Sequence, residues 1–249
     1  LTTHNLLWTG GWDSTFRVLD LTINKKRIVQ PYYVLDNTRI STKMERKTIK
    51  RLIVLVSVLD KNAAKRILPV KEVNVLDIIS NDSITNNYKR MAAHSHLGSQ
   101  YDWLARFADS EGVKGLELSI HLDDKAQKFL KADVVKKVDG DDEFYILDPT
   151  TNKVELTVFK YYKFPLLDYT KLDMEEKAKE SGFNHIMEET WFCHSPVHNN
   201  PCGICNPCKY TKEEGLGRRV PEPNLYKVLN RKVKKKTNAF IRKIKNKIP

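Results

Sequence analysis

The first 192 residues contain no cysteine; all four, Cys193, Cys202, Cys205 and Cys208, fall within sixteen consecutive positions. A disulfide framework staples distant segments, so this crowding argues against one and points to metal ligation in a reducing compartment; a cytoplasmic location is the expectation. No apolar run is long enough to span a bilayer. The opening Leu1-Thr2-Thr3-His4 lacks a basic stretch followed by an apolar one, so no secretory signal is expected there. Acidic residues are missing from one region: Lys227 to Pro249 carries ten basic residues and no acidic one. That segment accounts for most of the net charge of +12, because the remainder holds 33 basic against 31 acidic residues. The basicity therefore describes a tail and not the whole surface. No internal repeat is visible. A chain of 249 residues with 41% hydrophobic and 9% aromatic content excludes wholesale disorder and suits one globular body with appendages.

Period and punctuation order the body. His4 to Trp8 reads as a strand that stops at Gly10-Gly11, and Ser14 to Thr22 follows with apolar residues at helical spacing. Arg27 to Leu35 reads as a second strand, Thr42 to Leu59 as a helix, and Ile67 to Val75 as a third strand. Tyr101 to Glu111 is an amphipathic helix followed by a short strand, Gly115 to His121. Strands alternating with helices predict a parallel sheet covered on both faces, with the ligand at the carboxyl ends of its strands. Residues 134–162 break the alternation and read as a β-rich insertion, a cover for the site or a contact for a second subunit. Leu172 to Ser181 is one more helix, stopped at Gly182. The expected organisation is an α/β domain over 1–190, a metal-binding segment over 191–226 and a basic amphipathic tail over 227–249.

Two segments carry chemistry. In Thr9-Gly10-Gly11-Trp12-Asp13-Ser14, the glycines let backbone N–H groups turn toward an anion, and the following helix presents its positive end to the same point. Thr9 and Ser14 supply hydroxyls. Asp13 beside a phosphate calls for a bound Mg²⁺ or a helix cap; an ordinary strand-to-helix turn is the plain alternative. Cys193, Cys202, Cys205 and Cys208 offer four thiolates at spacings suited to tetrahedral Zn²⁺ with no open position, hence a structural site. His194 and His198 are spare ligand candidates. His94, His96 and His121 each read most simply as hydrogen-bonded structural residues. His121 is the best placed of them for catalysis, beside Asp123 and Asp124, although either aspartate also suits a cap on a helix beginning near Lys125. The tail is a packed helix with a solvated face, a nucleic-acid contact, or a contact to an acidic surface.

The loop at Thr9–Ser14 resembles the Ser-Gly-Gly-x-Asp-Ser loop of the PP-loop ATP pyrophosphatases, with Thr in place of the first Ser. The resemblance implies a Rossmann-like fold, ATP with Mg²⁺, a phosphate-binding role for Thr9, Gly10, Gly11, Trp12, Asp13 and Ser14, and an adenosine contact at Asp36. Thr190-Trp191-Phe192-Cys193, Cys202-Gly203-Ile204-Cys205-Asn206-Pro207-Cys208 and Phe164 to Lys171 resemble the 7-cyano-7-deazaguanine synthases. Those enzymes adenylate the carboxylate of 7-carboxy-7-deazaguanine and convert it through an amide to a nitrile with ammonia. The family's Gly-Arg-Asn element is replaced by Gly98-Ser99-Gln100, and its Asp-rich substrate loop by His121-Leu122-Asp123-Asp124. Catalytic roles are accordingly expected at Asp13, Ser14, His121 and Asp123, and a homodimer is implied. The altered substrate segments raise a second version in which a larger amine, such as a protein amine in an anti-phage system, keeps the product as an amide. A PP-loop tRNA-modifying enzyme holding RNA through its tail, and a non-catalytic nucleotide-binding scaffold, are the rival readings.

Overall fold

The computed structural model describes residues 3–94 and 97–223. His96 and the basic tail over 227–249 lie outside the described residues. The chain divides into two compact units, Leu1–Trp191 and Phe192–Pro249.

In the first unit, strands β1 (Thr3–Leu7), β2 (Ile28–Leu35), β3 (Lys71–Asn74), β4 (Leu116–Glu117) and β7 (Tyr162–Lys163) form a parallel sheet in the order β3-β2-β1-β4-β7. The helices are α1 (Trp12–Leu19), α2 (Thr42–Leu59), α3 (Lys61–Arg66), α4 (Asp82–His94), α5 (Gln100–Ser110), α6 (Lys125–Leu130), α7 (Lys171–Glu180) and α8 (Asn184–Met187). The period-2 alternation of β2 distributes its side chains to two cores. Tyr32 and Val34 join Tyr101, Leu104 and Phe107 of α5. Tyr33, between them, instead donates its hydroxyl to Glu45 Oε2 on α2 at 2.8 Å. Helices thus cover both faces, as parallel sheets require. The strand order reverses between β1 and β4, which makes the crevice at their carboxyl ends the topological switch point.

Three local expectations change. The third strand is shorter than Ile67 to Val75. Asp60 caps α3 by accepting from the backbone N–H of Asn62 and Ala63, so the chain is still helical up to Arg66. Helix α4, with Ile84 and Met91 buried, was not anticipated. The insertion is β-structured only over Val134–Leu147, where β5 (Val134–Asp139) and β6 (Asp142–Leu147) form an antiparallel hairpin. Residues Val154–Tyr161 instead wind as a 3₁₀ segment that buries Leu156, Val158 and Phe159, and Tyr162–Lys163 returns to the main sheet. Long apolar stretches of this kind do not separate strand from buried helix by period alone. The hairpin is tied to the body at two points. Its turn is held near the start of β2, where Arg27 Nη2 pairs with Asp141 Oδ1 at 2.8 Å and Lys25 donates to the Asp141 carbonyl. Higher up, Tyr145 and Phe164 exchange backbone hydrogen bonds of 3.1 and 2.8 Å.

The second unit is built around α9 (Asn206–Thr211), which begins directly after Cys205 with Pro207 in its first turn. No helix among the described residues is long and apolar enough to cross a membrane.

Candidate functional site

The ladder of β1 continues one residue further, with Trp8 N–H donating to the Tyr32 carbonyl at 2.8 Å. The chain then has to reverse into α1 within three residues. Gly10 makes that possible: its φ is +72°, and an added Cβ would lie 3.3 Å from the Glu45 carbonyl oxygen and from side-chain atoms of Ile49 and Thr48. Gly11 takes the N-cap position in extended conformation and offers no side chain to close the first turn. Thr15 N–H makes the first helical bond, to the Gly11 carbonyl at 3.0 Å, and the Trp8 indole N–H donates to Thr15 Oγ1 at 3.0 Å, fixing the turn from beneath. Trp191 N–H donates to the Gly10 carbonyl at 2.8 Å and holds it from the other side. The hydroxyls of Thr9 and Ser14 approach to 3.5 Å. The result is a helix N-terminus whose leading amides open toward the switch point, an arrangement suited to an anion.

Asp13 is not the cap of α1, because Gly11 occupies that position. Its side chain meets two cationic or protonatable groups: Oδ2 lies 3.5 Å from Lys171 Nζ and 4.0 Å from His121 Nε2. These three residues follow β1, β7 and β4 respectively, so the fold gathers them from three separate crossovers. His121 is 4% exposed and its Nδ1 accepts from the Asp123 backbone N–H at 3.3 Å, which makes Nε2, the atom facing Asp13, the protonated ring nitrogen. Asp13 Oδ1 is buried and accepts no hydrogen bond among the described residues. A carboxylate oxygen of that kind fits a hard divalent cation shared with phosphate oxygens, so Mg²⁺ is compatible with this donor set.

The other expected residues sit further out. Asp123 is exposed, and it is its backbone N–H that touches His121. Asp124 caps α6, accepting from Ala126 N–H at 3.3 Å. Asp36 closes the turn between β2 and α2: its Oδ1 accepts from the hydroxyl and backbone N–H of Thr38 at 2.6 and 2.9 Å, and these bonds hold its carboxyl below the usual carboxylate range. Gly98-Ser99-Gln100 opens α5, with Ser99 at the N-cap. In the sequence Lys171 is only the last residue of the Phe164 to Lys171 resemblance and carries no assigned role. A signal was present: a lysine at the first position of a helix opposes the helix dipole, so another interaction must favour it there. A polar cavity of about 280 Å³, lined by residues including Phe16, Arg17, Lys136, Tyr145 and Lys177, contains none of Thr9–Ser14.

The second missed constellation lies beneath the loop. Arg17, one turn beyond Ser14, is 2% exposed and forks onto two carboxylates. Nε and Nη2 reach Glu117 Oε2 and Oε1 at 2.7 and 3.1 Å; Nη1 and Nη2 reach Asp142 Oδ1 and Oδ2 at 2.8 and 2.6 Å. Glu117 also meets His4 Nδ1 at 2.7 Å. Burial opposes charge on Glu117, but Arg17 and the hydrogen bond from His4 outweigh it and bring its carboxyl down to about 2. Burial likewise opposes the Arg17 charge, and attraction to Glu117 with the bonds to both carboxylates holds it above the ordinary arginine value. The ligand atoms of His4, Glu117 and Asp142 are close enough for a metal ion, but the guanidinium fills the space between the carboxylates.

In the second unit the four cysteine sulfurs all lie within 4.8 Å of one another, with Cys193–Cys205, Cys202–Cys208 and Cys205–Cys208 at 3.8, 3.9 and 3.3 Å. A single tetrahedral ion with metal–sulfur bonds near 2.3 Å sets its ligands about 3.8 Å apart. A cubane cluster would spread the same four thiolates over four separate iron atoms. Backbone N–H groups of Ser195 and Cys202 donate to Cys193 Sγ at 3.4 and 3.2 Å, and Cys205 N–H to Cys202 Sγ at 3.4 Å. Gly203 makes the tight turn: its φ is +74°, and a Cβ there would fall 2.7 Å from the Pro221 carbonyl oxygen. The crowded sulfurs cannot all ionise together. Contacts with Cys193 and Cys208 lower the Cys205 thiol from its ordinary value, and the contact with Cys205 pushes Cys193 up. A bound cation would resolve that conflict. His194 and His198 stand outside the four-sulfur group.

No protein-family model matches the chain, and a search of curated proteins finds no match. Among solved structures, a 4-thiouridine synthetase–RNA complex with bound ATP is similar at 16% identity and a TM-score of 0.36, over 88% of this chain and 50% of that one. The U34-tRNA thiolase NcsA from Methanococcus maripaludis, with its [4Fe-4S] cluster, is similar at 16% identity and a TM-score of 0.29, over 85% and 80%. The chain thus spans half the length of the synthetase it matches.

Proposed function

We propose that this chain is a PP-loop, AMP-forming enzyme that adenylates the carboxylate of 7-carboxy-7-deazaguanine, or a close analogue, and joins nitrogen to it. The observation that carries the reading is the loop Gly10–Ser14 at the switch point, with Asp13, His121 and Lys171 converging on it from three crossovers. The α1 amides and the Thr9 and Ser14 hydroxyls bind the β- and γ-phosphates. Lys171 offsets charge that moves onto the pyrophosphate as it leaves. Asp13 would hold Mg²⁺, which would supply charge neutralisation at the phosphates. A substrate carboxylate oxygen attacks the α-phosphorus, the bond to the bridging oxygen breaks, and pyrophosphate departs. An amine nitrogen then attacks the acyl carbon, loses a proton, and expels AMP. His121, whose Nε2 lies 4.0 Å from Asp13 Oδ2, steadies that carboxylate. Zn²⁺ on Cys193, Cys202, Cys205 and Cys208 is structural.

The carboxylate and deazapurine assignment rests on the cysteine-segment resemblance, together with sulfur spacings suited to one closed tetrahedral ion. That same spacing weighs against a sulfur-transfer reading, which needs reactive sulfur free of a structural metal. The amine is ammonia, giving an amide whose oxygen is adenylated by a second ATP and leaves as AMP to form the nitrile, or a larger amine, including one on a protein, giving a conjugate. Organisation into an ATP-binding body, a zinc segment and a basic tail, with a homodimer as the assembled state, belongs to the same proposal. The test is release of AMP and pyrophosphate with and without 7-carboxy-7-deazaguanine, followed by intact mass of the product. Substrate-dependent AMP from the wild type, abolished in Gly11→Asp, is expected. ATP left untouched in every condition overturns the enzymatic reading.

A further inference from the structure

We infer that Arg17 and Asp142 are positioning residues, which couple the β5–β6 hairpin to the phosphate loop; this rests on the function proposed above. The buried fork joins four elements at one point: His4 on β1, Arg17 on α1, Glu117 on β4 and Asp142 on β6. Two of these elements end in the site. Helix α1 begins with the loop that carries Asp13, one turn before Arg17, and β4 leads within four residues to His121. Fixing Arg17 to Glu117 therefore sets the separation of Asp13 and His121 across the switch point. The hairpin lies away from the loop, yet Asp142 supplies half of the fork's acceptors, so its seating is transmitted to α1.

Energetics favour this role over a purely adhesive one. Buried ion pairs seldom stabilise a fold more than well-packed apolar side chains of similar volume. What a planar, two-sided guanidinium adds is direction, because each carboxylate is held by a pair of parallel bonds. The hairpin does not depend on Asp142 alone for attachment, since the Arg27–Asp141 pair and the Tyr145–Phe164 backbone bonds also hold it.

The experiment compares the full-length wild type with Asp142→Asn and with the triple variant Arg17→Met, Glu117→Gln, Asp142→Asn, which removes the guanidinium and both carboxylates of the fork. Two measurements are made. The first is amide exchange of residues 9–15 in nucleotide-free protein, with α5 as the internal control. The second is kcat and KM for AMP release. Both variants are expected to speed exchange over 9–15 by roughly tenfold or more while α5 is unchanged. They are also expected to lower kcat by up to about 100-fold, the cost of a small misalignment, with KM for ATP within about twofold. The triple variant is expected to regain folding stability without regaining kcat. Wild-type exchange over 9–15 in Asp142→Asn overturns the proposal, as does wild-type kcat in the triple variant. If the triple variant does not fold, Asp142→Asn decides. If the wild type releases no AMP, the proposed function falls, while the exchange measurement still decides the coupling.

Discussion

Removing the Arg17 side-chain charge is the most quantitative perturbation this structure offers. In Arg17→Met, the Glu117 and Asp142 carboxylates stay buried and lose the cation between them. Glu117 sits at about 2 in the native protein against an ordinary 4.5, a difference equivalent to on the order of 3 kcal/mol. The cost of breaking a buried pair from one side, about 3–5 kcal/mol, agrees with it. For a body of this size, that lowers the midpoint of thermal unfolding by on the order of 10 °C. All four tryptophans, Trp8, Trp12, Trp103 and Trp191, lie in the first unit, so their fluorescence during urea unfolding reports that unit alone. The dependence on pH separates this mechanism from simple loss of packing. In the wild type the Glu117 carboxyl is depressed, so its contribution is present above about 4.5 and is lost as pH falls toward about 2. In the variant Glu117 loses the Arg17 cation, so burial raises its carboxyl and acid relieves the penalty, while Asp142 keeps Lys25 3.6 Å away. The gap between the two proteins is therefore expected to be widest near neutrality and to narrow below about pH 5. A gap below about 1 kcal/mol at pH 7, or one independent of pH, would refute the reasoning.

Three further outcomes follow from the site. Gly10→Ala places a Cβ where φ is +72° and three atoms lie at 3.3 Å; nucleotide affinity measured by tryptophan quenching is expected to fall, with a stability loss of about 1–2 kcal/mol in urea unfolding. Lys171→Met is expected to lower kcat/KM for ATP by about 100-fold in steady-state assays of AMP release, while Lys177→Met, on the same helix, leaves it near wild type. Elemental analysis of purified protein is expected to give one zinc per chain; Cys208→Ser is expected to lose it, and iron in place of zinc would contradict the closed-site reading.

The sequence revealed much of this arrangement because its strongest signals are local. The double glycine after a strand, the four clustered cysteines and the long amphipathic run of α2 each depend on residues close in the chain. Lys171 and the Arg17 fork do not. Lys171 matters only because the end of β7 returns beside the loop after β1, and Arg17 reads as one polar residue in an apolar helical run until Glu117 and Asp142 arrive from 100 and 125 residues away. The 3₁₀ segment over Val154–Tyr161 was mistaken for strand for a related reason: its apolar residues satisfy either period, and only the partners available to bury them decide. Asp36 and Asp124 are short carboxylates that also serve their own turn and cap, and the adenosine contact expected at Asp36 belongs to the proposal.

The central claim is that a substrate carboxylate is activated by transfer of an adenylyl group, and oxygen labelling tests it most directly. With 7-carboxy-7-deazaguanine carrying ¹⁸O in its carboxylate, one labelled oxygen bridges to the α-phosphorus and leaves with AMP when the amine attacks. Mass spectrometry is expected to find one ¹⁸O in each AMP formed and none in pyrophosphate. AMP formed without the label, or label appearing in inorganic phosphate beside ADP, would contradict the account.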